Sequence, residues 1–175
     1  MVVVSGSCSP VTARQIQGAQ GQGFAGVSLD PVKLLEGGEG ELEKASAQAL
    51  KALENKKGVI LHTALGPSDA RVKASSESIR KAGPQRLGAA LGKLLGVVLE
   101  RGKIRRAVVV GGDTSGFAAR ELGFRSLEML GPIHPGSPLC KGNKSGSFLD
   151  GLEILFKGGQ VGRDDVFDKI RQGKP

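Results

Sequence analysis

The sequence predicts an α/β fold, a layered domain with a mainly parallel sheet flanked by helices. Three observations carry this expectation. Short apolar runs alternate with segments of helical period, the pattern of parallel strands joined by crossover helices. Those runs end in glycine- or serine-rich turns. The chain holds 28 glycines in 175 residues, roughly twice the usual ~7% share, and they fall where apolar runs stop rather than in a collagen-like or linker-like pattern. The length suits one domain over residues 1–175, since domains commonly run to about 100–150 residues.

The elements follow in order. Val2 to Val4 reads as a buried strand that breaks at "SGSCSP". There Ser9 suits a helix cap and Pro10 the first helical turn, so "VTARQIQGAQ" continues as a helix weakened by Gly18. "GFAGVSLD" (23–30) reads as a second strand ending at Asp30 and Pro31. "GGEGELEKASAQALKALENKKG" is a helix bounded by glycines, with Leu42, Ala45, Ala49 and Leu53 on one face. "GVILHTALGP" (58–67) is a continuous apolar run of strand length, and "SDARVKASSESIRKAG" is polar with helical character. "PQRLGAALGKLLGVVLERG" is the clearest helix: Pro84 opens it, Gly102 ends it, and Leu87, Leu91, Leu94, Leu95 and Val98 form its stripe. A strand and turn follow in "AVVVGGDTSGFAAREL" (107–122), which then turns helical. "SLEML" (126–130) alternates as a strand should, and "GPIHPGSPLCKGNKSGS" reads as a long irregular segment. A strand in "LEILFKGG" and a short helix within "RDDVFDKIRQG" close the chain.

Composition excludes several functions. Six phenylalanines with no tyrosine or tryptophan argue against a single-stranded nucleic-acid platform, which stacks bases on aromatic faces. The net charge of +8 is spread along the chain, densest at "RGKIRR" (101–106), and suits a small phosphate-bearing ligand or plain solubility. Nucleic acid is therefore not expected as a partner. Cys8 and Cys140 stand far apart with no CxxC spacing, so a structural zinc site is not expected, and free thiols fit a reducing cytoplasm. "MVVVSGSCSP" lacks the basic and long apolar parts of a signal peptide. No run approaches the ~18 apolar residues of a membrane span, so no membrane partner is expected either.

Three strand exits, "VVVSGSCSP", "VVVGGDTSG" and "ILFKGGQVG", are predicted to meet beyond the carboxyl ends of one sheet, where α/β folds bind ligands. A helix N-terminus supplies unpaired amides and a positive dipole end for phosphate. "GGDTSG" offers that geometry with Thr114 and Ser115 as added donors. It is not a Walker A loop, lacking GK[ST], and Asp113 replaces the second glycine of GxGxxG. Two roles stay open for Asp113: helix cap, or an outer-sphere, water-mediated contact to Mg²⁺ beside a phosphate. Two also stay open for Lys157, a point-charge phosphate ligand or a solvated lysine at a strand end. Ser9 is expected to cap its own helix, with Ser5 and Ser7 beside it. His62 reads as a satisfied core residue and Cys8 as a small packed one.

"VVVSGSCSPVTARQI", "VVVGGDTSGFAARELG", "PGSPLC" (135–140) and "LFKGGQVGRDDVF", in this order and spacing, resemble the C-terminal nucleotide-binding domain of the four-carbon acid sugar kinases. Arg163 departs from the pattern, standing where many relatives would carry glycine. The resemblance covers nearly the whole chain and implies ATP as cofactor, with Mg²⁺. By it, Ser7, Ser9, Gly111, Gly112, Asp113, Thr114, Ser115, Gly158 and Gly159 contact the nucleotide, with Lys157 beside them and Gly136 bordering the pocket. It also implies an N-terminal domain, absent from this sequence, that binds the four-carbon acid sugar and carries the acceptor-side catalytic residues. On that reading the isolated chain is inactive as a kinase. The alternative is a stand-alone non-catalytic nucleotide module or complementing subunit, and a homo-oligomer is an arrangement open to either.

Overall fold

The computed structural model describes residues 1–36 and 38–173. Its sheet has seven strands: β1 (Val2–Ser5), β2 (Ala25–Ser28), β3 (Val59–His62), β4 (Arg106–Val110), β5 (Ser126–His134), β6 (Ser137–Asn143) and β7 (Leu152–Lys157). They lie in the order β2-β3-β1-β4-β7-β6-β5. The first five in that order are parallel, while β6 and β5 join antiparallel. The expected α/β layering with a mainly parallel sheet is what the chain adopts.

Helices cover both faces, which is why β1 and β3 are buried at every residue and need no polar alternation. On one side Val3, Ile60, Val108, Val110 and Leu155 pack against α1 (Pro10–Gly21) and α7 (Val166–Gln172) through Ile16, Phe167 and Ile170. On the other, Val2, Val4, Leu61, Val109 and Ile154 meet a layer built from α2 (Pro31–Glu36), α3 (Gly38–Leu53), α4 (Ala70–Ala82), α5 (Pro84–Arg101) and α6 (Gly112–Leu122). The α5 stripe read from the sequence is the centre of that layer. Leu91, Leu94, Leu95 and Val98 have no exposed surface, each burial stabilising by about 1.5–3 kcal/mol. Glycines set the α5–α6 distance. A Cβ on Gly88 would lie 2.7 Å from Phe117 Cβ, and one on Gly92 would lie 2.8 Å from Ala118 Cα.

Two expectations need correction. Pro31 does not merely end β2; it opens α2, whose first amides, Val32 N and Lys33 N, donate to Asp30 Oδ1 at 2.9 and 3.3 Å, the side-chain capping that an aspartate before a proline supplies. The segment after residue 130 is not irregular but a β5–β6 hairpin, turning at Pro135–Gly136 between the partners His134 and Ser137. Its two register shifts, at 129/131 and 132/134, let prolines occupy the ladder. "SLEML" is a strand as expected, the start of β5, but its alternation buries nothing, because β5 is the sheet's edge and Leu127, Met129 and Leu130 stay exposed. Gly37, read as bounding the long polar helix, lies outside the described residues. No helix among the described residues is long and apolar enough to cross a membrane.

Topology positions the site. β1 leads into α1 on one face, whereas its neighbour β4 leads into α6 on the other. The strands' carboxyl ends therefore part at a switch point, which opens a crevice.

Candidate functional site

Ser5, Val110 and Lys157 are register partners across β1, β4 and β7, so all three predicted turns leave the sheet side by side. Backbone bonds carry the alignment one residue further: Gly6 N donates to Val110 O at 3.1 Å, and Gly111 N to Lys157 O at 3.0 Å.

The first turn satisfies itself. Ser7 N donates to Ser5 Oγ, Ser9 N to Ser7 Oγ and Val11 N to Ser9 Oγ, at 3.2–3.3 Å. Each serine thus ties down the amide two residues on, and Ser9 caps α1 as expected. Ser7 is buried and Ser9 half-buried. Cys8, between them, is exposed rather than packed, because its neighbours' side chains turn into the ladder.

The second turn is open. Gly111, at φ +119°, is the residue before α6 and has no side chain to cap it. Ser115 N closes the first intrahelical bond, to Gly111 O at 2.9 Å, leaving the amides of Gly112, Asp113 and Thr114 without an intrahelical partner. Asp113 is therefore not the cap; it sits in the first turn of α6 with its side chain exposed. Thr114 is buried, and its Oγ1 occupies the ground between the turns: a Cβ on Gly6 would lie 2.3 Å from it, and one on Gly111 3.0 Å. A Cβ on Gly112, by contrast, would meet no described atom within 4 Å. Ser115 Oγ is buried with no partner among the described residues.

The third turn carries a buried charge. Lys157 is 2% exposed, not a solvated strand-end lysine, because its register position points it under the turn, towards the α1/α7 side. Its Nζ donates to Gly158 O at 3.0 Å, and burial pulls its pKa down to about 8. Gly159 approaches the first turn so closely that a Cβ there would lie 2.3 Å from Ser7 Oγ. Gly136, at φ +74°, lies at the same sheet edge in the β5–β6 turn, two strands from β4.

His62 ends β3 beside Ser5 but belongs to a closed cluster. Arg71 spends its guanidinium on Asp69, on the carbonyls of Leu29 and His62, and on an approach to His62 Nδ1. Burial first, then the Arg71 charge, lowers His62 to about 4, and Arg71 holds Asp69 well below the usual carboxylate range. The imidazole is neutral at pH 7, and no Arg71 donor is left for a ligand. A cavity of about 460 Å³ lies among α3, α5 and the C-terminal end of α6. It is about 15 Å along α6 from the open amides and is separate from the turns. Among the described residues no cluster of three His, Cys, Asp or Glu side chains could hold a metal ion.

Sequence reasoning named Ser5 beside Ser9 without a role, and missed Gly6, Thr12 and Gln15 as parts of this edge. The "SGSCSP" string holds Ser5 and Gly6 in plain view, whereas the α1 residues are recognised only by what they touch.

A family model described as nucleotide-binding C-terminal domain matches residues 2–167. A 3-oxo-isoapionate kinase of Paraburkholderia graminis is 37% identical over 99% of this chain. A 3-oxo-tetronate kinase of Cupriavidus necator is 31% identical over 98% of it, and a D-threonate kinase of Salmonella typhimurium 28% over 95%. The chain spans only 39%, 38% and 40% of those relatives' lengths. Two solved structures share its fold over 98% of the chain. One is a Haemophilus influenzae protein matching the DUF1537 family model, at TM-score 0.73 and 22% identity, 39% of which is covered. The other is a DUF1537 protein of Bordetella bronchiseptica, at 0.74 and 17%, 40% of which is covered; it crystallised with citrate as a domain-swapped dimer. With the match running from the first strand into the last helix, the chain belongs to the nucleotide-binding C-terminal domain family.

Proposed function

We propose that the chain is the ATP-binding half of a four-carbon acid sugar kinase, transferring a phosphoryl group to a sugar-acid hydroxyl when joined to the acceptor-binding part of such an enzyme. One observation carries the reading: of the two helices that begin at the switch point, α1 is capped by its own serine while α6 is not. Three free amides, a positive dipole end and the empty space over Gly112 form an anion site. Gly111 to Ser115 would hold the phosphates, with Gly158 and Gly159 as the opposite wall. Ser7 and Ser9, whose oxygens accept backbone amides, would shape the site, and the Ser9 hydroxyl keeps its proton for a ligand. Lys157 would act as a charge beneath the third turn, and Gly136 would border the nucleotide.

Asp113 gives the site one exposed carboxylate at the phosphate end. That fits Mg²⁺ carried by the nucleotide, since this ion takes one or two carboxylates and fills its shell with phosphate oxygens and water. The relatives' names, kinases of 3-oxo-tetronate and D-threonate, support the acceptor class. The cytoplasm, where ATP is available, is the proposed location, and a homo-oligomer is a proposal that the domain-swapped relative supports.

Calorimetry tests the reading. ATP with millimolar Mg²⁺ is expected to bind at low salt and to weaken as ionic strength rises. No heat and no thermal shift at millimolar nucleotide would reject it.

A further inference from the structure

One side of α1 carries residues that neither cap the helix nor face the open amides. Thr12, Gln15 and Gly18 recur every three residues, and the loop from Gly159 to Asp164 runs along them. Thr12 and Gln15 have no exposed surface. Thr12 Oγ1 donates to Gly159 O at 2.6 Å and lies 3.2 Å from Ser7 Oγ. A hydroxyl has one proton, so with that proton on Gly159 the Ser7 hydroxyl supplies the other, and the two turns join through Thr12. Gln15 Nε2 faces three carbonyls, those of Val161, Gly162 and Arg163, at 2.9–3.1 Å. Three acceptors require the nitrogen on that side, which leaves Oε1 buried without a partner among the described residues. At Gly18 a Cβ would lie 3.2 Å from Asp164 O, which accounts for a glycine inside a helix despite its low propensity.

The segment 158–163 includes Gly158, Gly159 and Gly162 and would be costly to order at the moment a ligand arrives. Helix α1 orders it in advance. We propose that Thr12 and Gln15 are positioning residues that lock the third turn to the first and so set where Gly158 and Gly159 stand opposite the open end of α6. The proposal rests on the nucleotide reading of the three turns.

Thr12→Val keeps the shape and removes the hydroxyl, Thr12→Ser keeps the hydroxyl, and Gln15→Leu removes the carboxamide. Two readouts apply: ATP affinity by calorimetry, and amide hydrogen exchange of Gly159 to Arg163 without nucleotide. Thr12→Val and Gln15→Leu are expected to weaken ATP about tenfold, the scale of one buried hydrogen bond, and to speed exchange in the loop but not in β1 or β4. Thr12→Ser is expected to stay within about twofold of the parent on the same scale. ATP affinity unchanged in Thr12→Val, or lost while loop exchange stays as in the parent, would overturn the assignment. If the parent binds no ATP, the nucleotide reading fails while loop exchange still decides the positioning role. Should Thr12→Val not fold, Thr12→Ala is read the same way; unfolding of both would make the hydroxyl a core requirement and end the proposal.

Discussion

Gly111 and Gly112 are neighbours that are glycine for opposite reasons. Gly111 has a left-handed-side φ of +119° and faces Thr114 Oγ1, so Gly111→Ala is expected to cost about 1–3 kcal/mol in urea unfolding through backbone strain. Gly112 meets nothing. Gly112→Val should therefore keep its stability within about 1 kcal/mol yet lose ATP binding by calorimetry, because the new side chain fills the space proposed for phosphate. A Gly112→Val protein that unfolds would make the turn chiefly structural. Asp113→Asn separates charge from capping, since the structure has removed capping as a role. Stability should change by no more than about 1 kcal/mol, the reach of the helix dipole, while the Mg²⁺ dependence of ATP binding falls. Lys157 makes a prediction in pH. Burial lowers its pKa from 10.5 to about 8, so the folded protein holds this proton less tightly than the unfolded chain does. Below pH 8 both states are charged and the desolvation cost is present in full; between pH 8 and 10.5 the folded state sheds its proton first and the cost disappears. At about 1.4 kcal/mol per pKa unit the cost is on the order of 3 kcal/mol. Lys157→Met is expected to be more stable than the parent at pH 7, less about 1 kcal/mol for the lost bond to Gly158 O. That advantage should be gone by pH 10.5 in urea titrations. Weaker ATP binding by the same variant would show what the buried charge is kept for.

Between elements, the α5–α6 contact governs how α6 presents its open end. An alanine at Gly92 would bring Cβ to 2.8 Å from Ala118 Cα and 2.9 Å from Glu121 Cβ. Gly92→Ala must push α6 away, at about 1–3 kcal/mol, which outweighs the ~1 kcal/mol gained in helix propensity. Gly96 faces only Leu122 Cδ2, at 3.8 Å, so Gly96→Ala should be neutral or stabilising by up to about 1 kcal/mol. ATP affinity is expected to fall in the first and hold in the second, although both residues lie in α5 and face the later turns of α6 rather than its open end. Equal behaviour of the pair would mean that α6 adapts freely. The central strands and helices were legible because their signals are local. Apolar runs stopping at glycine mark β1, β4 and β7, and a stripe with helical period marks α5. The β5–β6 hairpin was not legible, because Pro132, Pro135 and Pro138 read as breakers when the partner strand and its register shifts are unseen. Helix α2 was hidden in the same way by Pro31, which ends one element only because it begins another. At the site, all three turns were readable in the sequence. What could not be read was that the other helix end is left open: Ser9 capping α1 was expected, whereas the lack of a cap on α6 depends on the backbone at Gly111 and on Asp113 lying inside the first turn.

At the scale of the whole molecule, a single sheet edge gathers the residues proposed to hold the donor, and none of them is proposed to hold an acceptor. His62 is locked to Arg71, and Asp113 lies in the first turn of α6, at the end proposed for phosphate. Phosphoryl transfer consists mainly of placing the acceptor in line with the γ-phosphate and stabilising spread charge. Holding the reactants together accounts for roughly 7–11 kcal/mol of such a barrier. A chain that cradles only the donor, as proposed for this one, would forfeit most of that. Residues 1–175 alone are therefore expected to bind ATP and at most hydrolyse it slowly, with no transfer to threonate or erythronate in a coupled assay. The relatives are about two and a half times as long as the stretch this chain matches, and the part beyond that stretch is the proposed source of the acceptor site. Supplying it as a separately expressed domain should restore transfer if the two surfaces meet. The exposed edge at Leu127, Met129 and Leu130 offers one place to look for loss of complementation on substitution by lysine. Steady turnover by residues 1–175 alone would put the acceptor site in this chain, or between two copies of it, and would overturn the division of labour.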